Sequence, residues 1–225
     1  MKNIKAVTCE DDVLRNIYIE NYRIKANADI SIDYLKRSTS VLIYHGETPI
    51  GGYCINGNNF RYLDVFKAWQ KKDLLKRHNV NENDFLEITC IWIASKTPIW
   101  LRCVYYSYML KDTMEYAKTH RKKYVLGGSI EEGIQKDQQK VLRKILYKGF
   151  ISNELKLIGK ETKKMLLIYY NTIGGFVSRS ILFIVNRMFS TNKPPKVVKK
   201  QARKGARRTK PTPLRLKTIS KKKKK

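Results

Sequence analysis

The centre of the chain alternates between strand-like and helix-like patterns. Glu87–Ser95 is rich in β-branched residues, which predicts a buried strand. Pro98–His120 predicts a helix, because its small and apolar residues recur at spacings of three and four. Lys123–Leu126 predicts a second strand, with Gly127–Gly128 as the turn out of it. A further helix is predicted to end at Gly149, and its inner face is formed by Ile134, Val141, Leu142 and Ile145.

The segments on either side of this centre predict strands and short helices. Two apolar runs that flank a loop with Gly and Pro are typical of a hairpin. Together the patterns predict an α/β (α+β) fold, with a mixed, mostly antiparallel central sheet and helices on both faces. The predicted flanking elements are a strand at Ile4–Thr8, a helix after Asp11 and Asp12, a short helix at Ile32–Lys36, a hairpin of Val41–Tyr44 and Ile50–Ile55, a partly helical excursion over 61–83, and an antiparallel pair of Leu155–Ile158 and Met165–Tyr170.

Positive charge is concentrated at the end of the chain. The protein has 225 residues and a formal net charge of +28, from 47 Lys and Arg against 19 Asp and Glu. Sixteen of the basic residues and none of the acidic ones follow residue 189, which leaves a net charge of +12 for residues 1–189. Such a block has almost nothing apolar to bury and does not recover the entropy cost of ordering. The sequence therefore predicts a folded domain at 1–173, an amphipathic helix at 174–189 and a disordered Lys/Arg-rich tail at 190–225.

The basic tail predicts contact with a polyanion, because each neutralised phosphate releases counterions. Nucleic acid and an anionic membrane surface are both compatible with this charge, and a solubility or sorting tail is the alternative. The residues expected to make the contact are Lys199, Lys200, Arg203, Lys204, Arg207 and Arg208.

The segment Gly174–Phe189 is apolar but contains two arginines. At sixteen residues it is too short and too charged to span a bilayer. Two interpretations remain open. The segment packs its apolar face on the domain, or it lies in a membrane interface, where the basic tail supplies the second attraction that such anchors need.

The cysteines and histidines give no metal-binding pattern. The four cysteines show no CxxC spacing and the three histidines lie far apart, so no metal site is predicted. The N-terminus has no apolar run of signal-peptide length, which predicts a cytoplasmic protein. Association with nucleic acid or membrane is compatible with its charge. In a reducing compartment the thiols stay free, and we expect them to act as small buried hydrophobes.

Three features in a fixed order make the stretch Val41–Tyr170 resemble the GNAT superfamily of acyl-CoA-dependent N-acyltransferases. They are the hairpin that ends at Ile50–Gly52, the strand that begins at Glu87, and Gly149–Phe150 after the last helix. The resemblance implies that this strand separates from its neighbour and that acyl-CoA lies in the wedge, with its pantetheine arm paired to strand backbone. It also implies that the pyrophosphate sits on the N-terminus of the next helix.

The phosphate-binding loop departs from the family pattern Gln/Arg-x-x-Gly-x-Gly/Ala. At this place the sequence has Ser95–Cys103, which contains no glycine. In one interpretation Lys96 and Arg102 replace the backbone donors of the loop. In the other, Trp100 and Leu101 fill the site. The residues that the resemblance assigns to acyl-CoA are Ile91, Ile93, Ser95, Lys96, Arg102 and Cys103.

Acyl transfer to an amine needs a base for the amine and an acid for the departing thiolate. Glu87 matches the position at which several family members carry a base glutamate, and an apolar surrounding raises the pKa of a carboxyl group. The alternative is an edge residue paired with a lysine. Tyr147 is the candidate acid, although it lies two residues beyond the family's usual tyrosine position; the alternative is a packed tyrosine.

The sequence thus predicts a GNAT-like N-acyltransferase that moves an acyl group from acyl-CoA to an amine, with a tail that binds a polyanion. Two alternatives belong to other classes. One is a GNAT-like protein of the phage type that modifies nucleic-acid bases. The other is a non-catalytic protein that binds nucleic acid or membrane on a degenerate scaffold of this kind.

Overall fold

The computed structural model describes residues 3–58, 60–150 and 165–190. Within them the chain forms one seven-stranded sheet with the strand order β1-β2-β3-β4-β5-β7-β6. β4 and β5 are parallel, and every other neighbouring pair is antiparallel. The predicted mixed, mostly antiparallel sheet is therefore confirmed. The strands are β1 (Ile4–Thr8), β2 (Thr39–His45), β3 (Thr48–Asn56), β4 (Phe85–Ile93), β5 (Tyr124–Ser129), β6 (Lys144–Phe150) and β7 (Met165–Thr172).

The part of the chain that the structure describes also contains six α-helices, and a short 3-10 turn, Glu82–Asp84, precedes β4. The first helix begins where the sequence predicts, because the Asp11 carboxylate accepts a hydrogen bond of 2.8 Å from the Leu14 amide. The helices are α1 (Asp12–Ala26), α2 (Ile32–Lys36), α3 (Ala68–Arg77), α4 (Ile99–Thr119), α5 (Glu132–Val141) and α6 (Ile173–Ser190).

Helices cover both faces of the sheet, as predicted. Successive strand residues alternate between two cores: Leu86 and Val125 face α4, α5 and α6, whereas Phe85 and Leu126 face the opposite side. A further apolar cluster joins α1 and α2 to the β2–β4 part of that second face. The sheet is thus the middle of three layers, with its central strands buried on both sides.

The segment after α5 corrects one prediction. The predicted helix that ends at Gly149 is wrong, because the helix stops at Val141 and 144–150 forms the edge strand β6, paired with β7. The short run Ile145–Tyr147 fits a strand as well as a helix, and pairing with β7 decides between them. Gly149 is needed for a different reason: a Cβ at this position would collide with the Tyr147 phenol.

Two other predictions concern β5 and β7. Gly127 and Gly128 lie inside β5 rather than in a turn after it. Crowding explains Gly128, because a Cβ there would approach the Tyr62 ring to 2.9 Å. The predicted strand at Leu155–Ile158 lies outside the described residues, and β7 instead pairs with β5 and β6.

The C-terminal helix α6 packs on the domain between α4 and α5. The Phe183 ring contacts the Tyr106 ring, and the Arg187 guanidinium lies 2.9 Å from the Asp137 carboxylate. Of the two interpretations of Gly174–Phe189, the one in which the segment packs on the domain is therefore confirmed for one side of the helix. No helix of the described residues is long and apolar enough to cross a membrane.

Candidate active site

The two parallel strands at the centre of the sheet separate after three residue pairs. Phe85, Leu86 and Glu87 pair with Tyr124, Val125 and Leu126 in that order, and the pairing then ends. β4 continues to Ile93 beside β3, while β5 continues to Ser129 beside β7. Because each strand follows its outer neighbour, a wedge opens between them beyond Glu87.

A β-bulge in β4 lies at the start of this wedge. Gly52 pairs with Trp92 and Cys54 with Thr89, so Cys90 and Ile91 together oppose the single residue Tyr53. Cys90 has a φ of 52°, a conformation that is uncommon for a residue with a side chain. A bulge of this kind bends its strand, and we attribute the separation of β4 from β5 to it.

The wedge forms a slot of about 370 Å³ whose walls are mostly apolar. One wall is β4 from Ile88 to Ile93 and the other is β5 from Val125 to Ser129. Helices α4, α5 and α6 line the slot on one face of the sheet, the last through Phe176, Ser180, Phe183 and Ile184. On the opposite face it reaches Tyr22, Arg61 and Tyr62.

Glu87 lies at the vertex of the wedge and is fully buried. Its Oε2 accepts hydrogen bonds from the Arg61 amide at 2.7 Å and the Tyr34 hydroxyl at 3.2 Å, and its Oε1 accepts one from the Tyr62 amide at 2.9 Å. Burial raises the pKa of Glu87 to about 8 and outweighs these hydrogen bonds, which lower it. Two amides and a phenol, not a lysine, are thus the partners of this carboxyl group.

Arg61 and Cys90 form a polar contact on the wall of the slot. Arg61 Nη1 lies 2.9 Å from Cys90 Sγ and 3.2 Å from the Tyr22 hydroxyl oxygen, and Nη2 donates to the Asp29 carbonyl at 3.3 Å. Burial opposes ionisation of the Cys90 thiol, but its hydrogen bond with Cys54 and the Arg61 charge lower its pKa to about 6. The pKa of Cys90 is thus shifted in the opposite direction to that of Cys9, which burial raises to about 11.

The six residues assigned to acyl-CoA fall into two groups. Ile91 and Ile93 line the slot. Ser95 and Lys96 lie in the exposed loop after β4, and Cys103 is partly exposed on α4. The Arg102 guanidinium closes that loop, because it donates to the Thr97 carbonyl at 2.9 Å and the Ser95 carbonyl at 2.8 Å.

Trp100 and Leu101 leave the slot open. The Trp100 ring is half exposed and stands edge-on to His45, with 6.1 Å between ring centroids. Leu101 is buried in the core beneath α4. Neither side chain lines the slot, so neither of them plugs the groove beside Ile91 and Ile93.

The N-terminus of α4 retains donors that an anion could use. Pro98 provides no side-chain cap for the first amides of the helix. The Thr97 hydroxyl just before it is buried and has no hydrogen-bond partner. Uncapped amides and a spare hydroxyl fit a phosphate group, even though the loop has no glycine.

Tyr147 lies on β6, not on a helix as predicted. Its ring packs against Phe66, with 4.7 Å between ring centroids. It lines a separate depression that also contains Lys67, Trp69 and Phe150. Tyr147 and Glu87 are therefore not brought together, and neither side chain lines the slot.

Three parts of the site do not follow from sequence patterns. Arg61 lies in a segment without periodicity, Cys90 resembles an ordinary core thiol, and α6 reaches the slot from the far end of the chain. The one local signal is the β-branched run of β4, which does not reveal a bulge. Among the described residues no group of three or more His, Cys, Asp and Glu side chains could hold a metal ion. The tail residues predicted to bind a polyanion lie outside the described residues: Lys199, Lys200, Arg203, Lys204, Arg207 and Arg208.

Comparison with solved structures identifies the architecture. The chain aligns with FeeM, an N-acyl amino acid synthase from uncultured soil microbes, at a TM-score of 0.58 and 10% identity, over 81% of this chain and 98% of that one. It aligns with an agmatine N-acetyltransferase in its apo form at a TM-score of 0.50 and 7% identity, over 76% and 100% of the two chains.

The chain shares its fold with these two structures. A GNAT family acetyltransferase from Elizabethkingia anophelis with acetyl-CoA bound aligns at a TM-score of 0.44 and 16% identity, over 76% of this chain and 99% of that one. No protein-family model matches the sequence, and no curated protein gives a significant match. The likeness to FeeM and to the agmatine N-acetyltransferase is therefore one of fold, at low sequence identity.

Proposed function

We propose that this protein is an N-acyltransferase whose acyl thioester substrate lies in the slot between β4 and β5. One observation carries the proposal: β4 and β5 separate beyond Glu87 and Leu126 and leave a mostly apolar slot of about 370 Å³. Slots of this size with a few polar groups are typical of small-molecule sites. The GNAT fold, known from acyltransferases such as FeeM, supports the same reaction.

Acyl-CoA, when bound, supplies the acyl group as a thioester. The backbone of β4 from Ile88 to Ile93 has no β5 partner and is available to hold the pantetheine arm. The uncapped N-terminus of α4 is proposed to hold the pyrophosphate. In the transfer the amine nitrogen forms a bond to the thioester carbon, the carbon–sulfur bond breaks, and the departing thiolate takes up a proton.

Glu87 is proposed as the acceptor of the amine proton. Its pKa of about 8 is close to the range in which a general base works well. Its carboxyl group is held by the Arg61 and Tyr62 amides, and the slot is lined by Arg61 and Tyr62 rather than by Glu87 itself. Tyr147 remains a prediction as the acid, with its ring placed away from the slot.

The acceptor is proposed to be an amine that also carries an anionic group, such as an amino acid. Arg61 lines the slot, and three of its five guanidinium N–H groups are used by Tyr22, Cys90 and Asp29. The remaining donors can bind a carboxylate. FeeM is an N-acyl amino acid synthase. We expect Arg61→Met to raise KM for an amino-acid acceptor more than for an amine without a carboxylate.

The slot is tested by thermal unfolding of the full chain with octanoyl-CoA, with free CoA as reference. At a hundredfold excess over Kd, bound ligand stabilises the folded state by about 2.7 kcal/mol. Ser180 faces the slot from α6 and Ser178 is exposed on the same helix. Ser180→Phe fills the slot and is expected to abolish the stabilisation, whereas the matched control Ser178→Phe retains it.

Two results would overturn the proposal. Equal stabilisation of the two variants would place the ligand elsewhere, for example on the basic tail. No stabilisation of the unaltered protein by any acyl-CoA would favour a non-catalytic binding protein. Acylated bases found in a nucleic-acid substrate would favour the base-modifying alternative.

The tail is proposed to hold the enzyme near an anionic surface. Its sixteen Lys and Arg residues, without Asp or Glu, support this role through charge alone. The charge of the tail is compatible with a nucleic-acid surface and with an anionic lipid surface. The helix α6, which precedes the tail, is what favours one of these two surfaces over the other.

A further inference from the structure

The helix α6 has apolar side chains on two opposite sides. Its inner side packs Phe176, Phe183 and Ile184 against the domain and the slot. Its outer side exposes Leu182 by 59% and Phe189 by 70%. The outer apolar face consists of Ile181, Leu182, Val185 and Phe189.

These four residues form one continuous surface. At about 100° per residue they fall within an arc of about 100° on the side of α6 that points away from the domain. A surface helix normally places polar side chains on that side. Clusters of exposed apolar side chains often mark interaction sites. We therefore expect the outer apolar face to bind a partner that offers an apolar surface.

We propose that the outer apolar face of α6 docks on an anionic lipid surface, with the basic tail as the second attraction. The face ends at Phe189, and the sixteen basic residues begin at Lys193. Each Lys or Arg near an anionic leaflet contributes about 1 kcal/mol. Burial of an apolar helix face together with electrostatic attraction is how interfacial helices bind membranes.

Charge and polarity favour lipid over the other partners. Nucleic acid offers phosphates for the tail but no hydrocarbon for four aliphatic and aromatic side chains. A second copy offers an identical apolar face, but it also brings the same net charge of +28, and the two copies repel each other. An anionic lipid surface provides both hydrocarbon and negative charge.

Docking also has a consequence for the proposed function. The inner side of α6 lines the slot while its outer side meets the lipid, so the slot lies one helix away from the acyl chains. This consequence depends on the proposed function, but the docking itself does not.

The test is co-sedimentation of the full chain with vesicles at about 0.15 M salt. One set contains phosphatidylcholine alone and the other about one-third phosphatidylglycerol. The test variant is Leu182→Glu with Phe189→Glu. The matched control is Val13→Glu with Ile24→Glu, which changes the charge equally at two α1 positions exposed by 70% and 71%.

We expect the unaltered protein and the control to bind the anionic vesicles, and the α6 variant to bind them about tenfold or more weakly. Equal binding of the two variants would overturn the proposal, because the tail would then act alone. Retention on a DNA oligonucleotide without vesicle binding would overturn it in favour of nucleic acid. Thermal stabilisation by octanoyl-CoA is measured for the α6 variant as well. A variant that no longer binds vesicles but is still stabilised has lost docking while its slot still binds the ligand.

Discussion

At the scale of single residues, Glu87 connects the fold to the proposed chemistry. It is the last residue of β4 that pairs with β5, and it fixes the backbone of Arg61 and Tyr62. A buried carboxyl group in this position serves two purposes, because it holds a wall of the slot and has a raised pKa. The two purposes are separated by the pH dependence of the rate.

Glu87→Gln is predicted to lower kcat by about a hundredfold or more, as the loss of a general base does. In the proposed mechanism the ionised form of Glu87 is the base, so the rate of the unaltered protein is expected to rise with pH up to about 8. The variant is expected to lose that rise, while Cys90→Ser keeps it. A variant that keeps the rise and loses only stability would show that Glu87 merely fixes the 60–62 backbone.

Cys90 is predicted to be the most reactive thiol at neutral pH. Its pKa is lowered to about 6, whereas burial raises the pKa of Cys103. Because the thiolate is the nucleophile, alkylation by iodoacetamide through the slot is expected to reach half its maximal rate at a lower pH for Cys90 than for Cys103. Arg61→Met removes the neighbouring charge and shifts this midpoint upward. Peptide mapping that finds Cys103 labelled first at pH 7 would contradict the assignment.

At the scale of elements, the sequence predicts most of the sheet and misses what shapes the site. Local periodicity predicts β1, α1, α2 and the β2–β3 hairpin because their apolar patterns are unambiguous. β6 is missed because its pairing with β7 is not a local property. The bulge at Cys90 and the contact of α6 with the slot depend on tertiary packing, for which the sequence has no periodic signal.

The glycines of β5 and α5 give a stability prediction for these elements. Gly128→Ala places a Cβ 2.9 Å from the Tyr62 ring, and overpacking of this kind costs about 1–3 kcal/mol. Gly133 in α5 has open space around it, so Gly133→Ala is expected to leave stability unchanged or slightly higher. Urea denaturation measures both. Equal destabilisation would mean that β5 does not pack closely against Tyr62.

At the scale of the whole molecule, the walls of the slot come from widely separated parts of the chain. Strands β4 and β5 open it, Arg61 and Tyr62 close one side, and α4 to α6 cover the other. The apolar walls suit a hydrocarbon chain, and the outer apolar face of α6 suits a lipid surface. Under the proposed function, both features favour an acyl group longer than acetyl.

Affinity for acyl-CoA is therefore predicted to increase with chain length. Each buried CH₂ group contributes about 0.8 kcal/mol, which is about fourfold in affinity. Calorimetric titration with acetyl-, butyryl- and octanoyl-CoA measures the increase against free CoA. Equal affinities along the series would show that the acyl chain does not enter the apolar slot.

The separation of β4 from β5 as a thioester site is tested most directly by hydrogen exchange of the backbone amides with and without octanoyl-CoA. We predict that the ligand protects amides of Ile88–Ile93 and Gly127–Ser129, which line the slot without pairing to each other. Protection that is confined to the basic tail, or absent from both strand segments, would contradict the account.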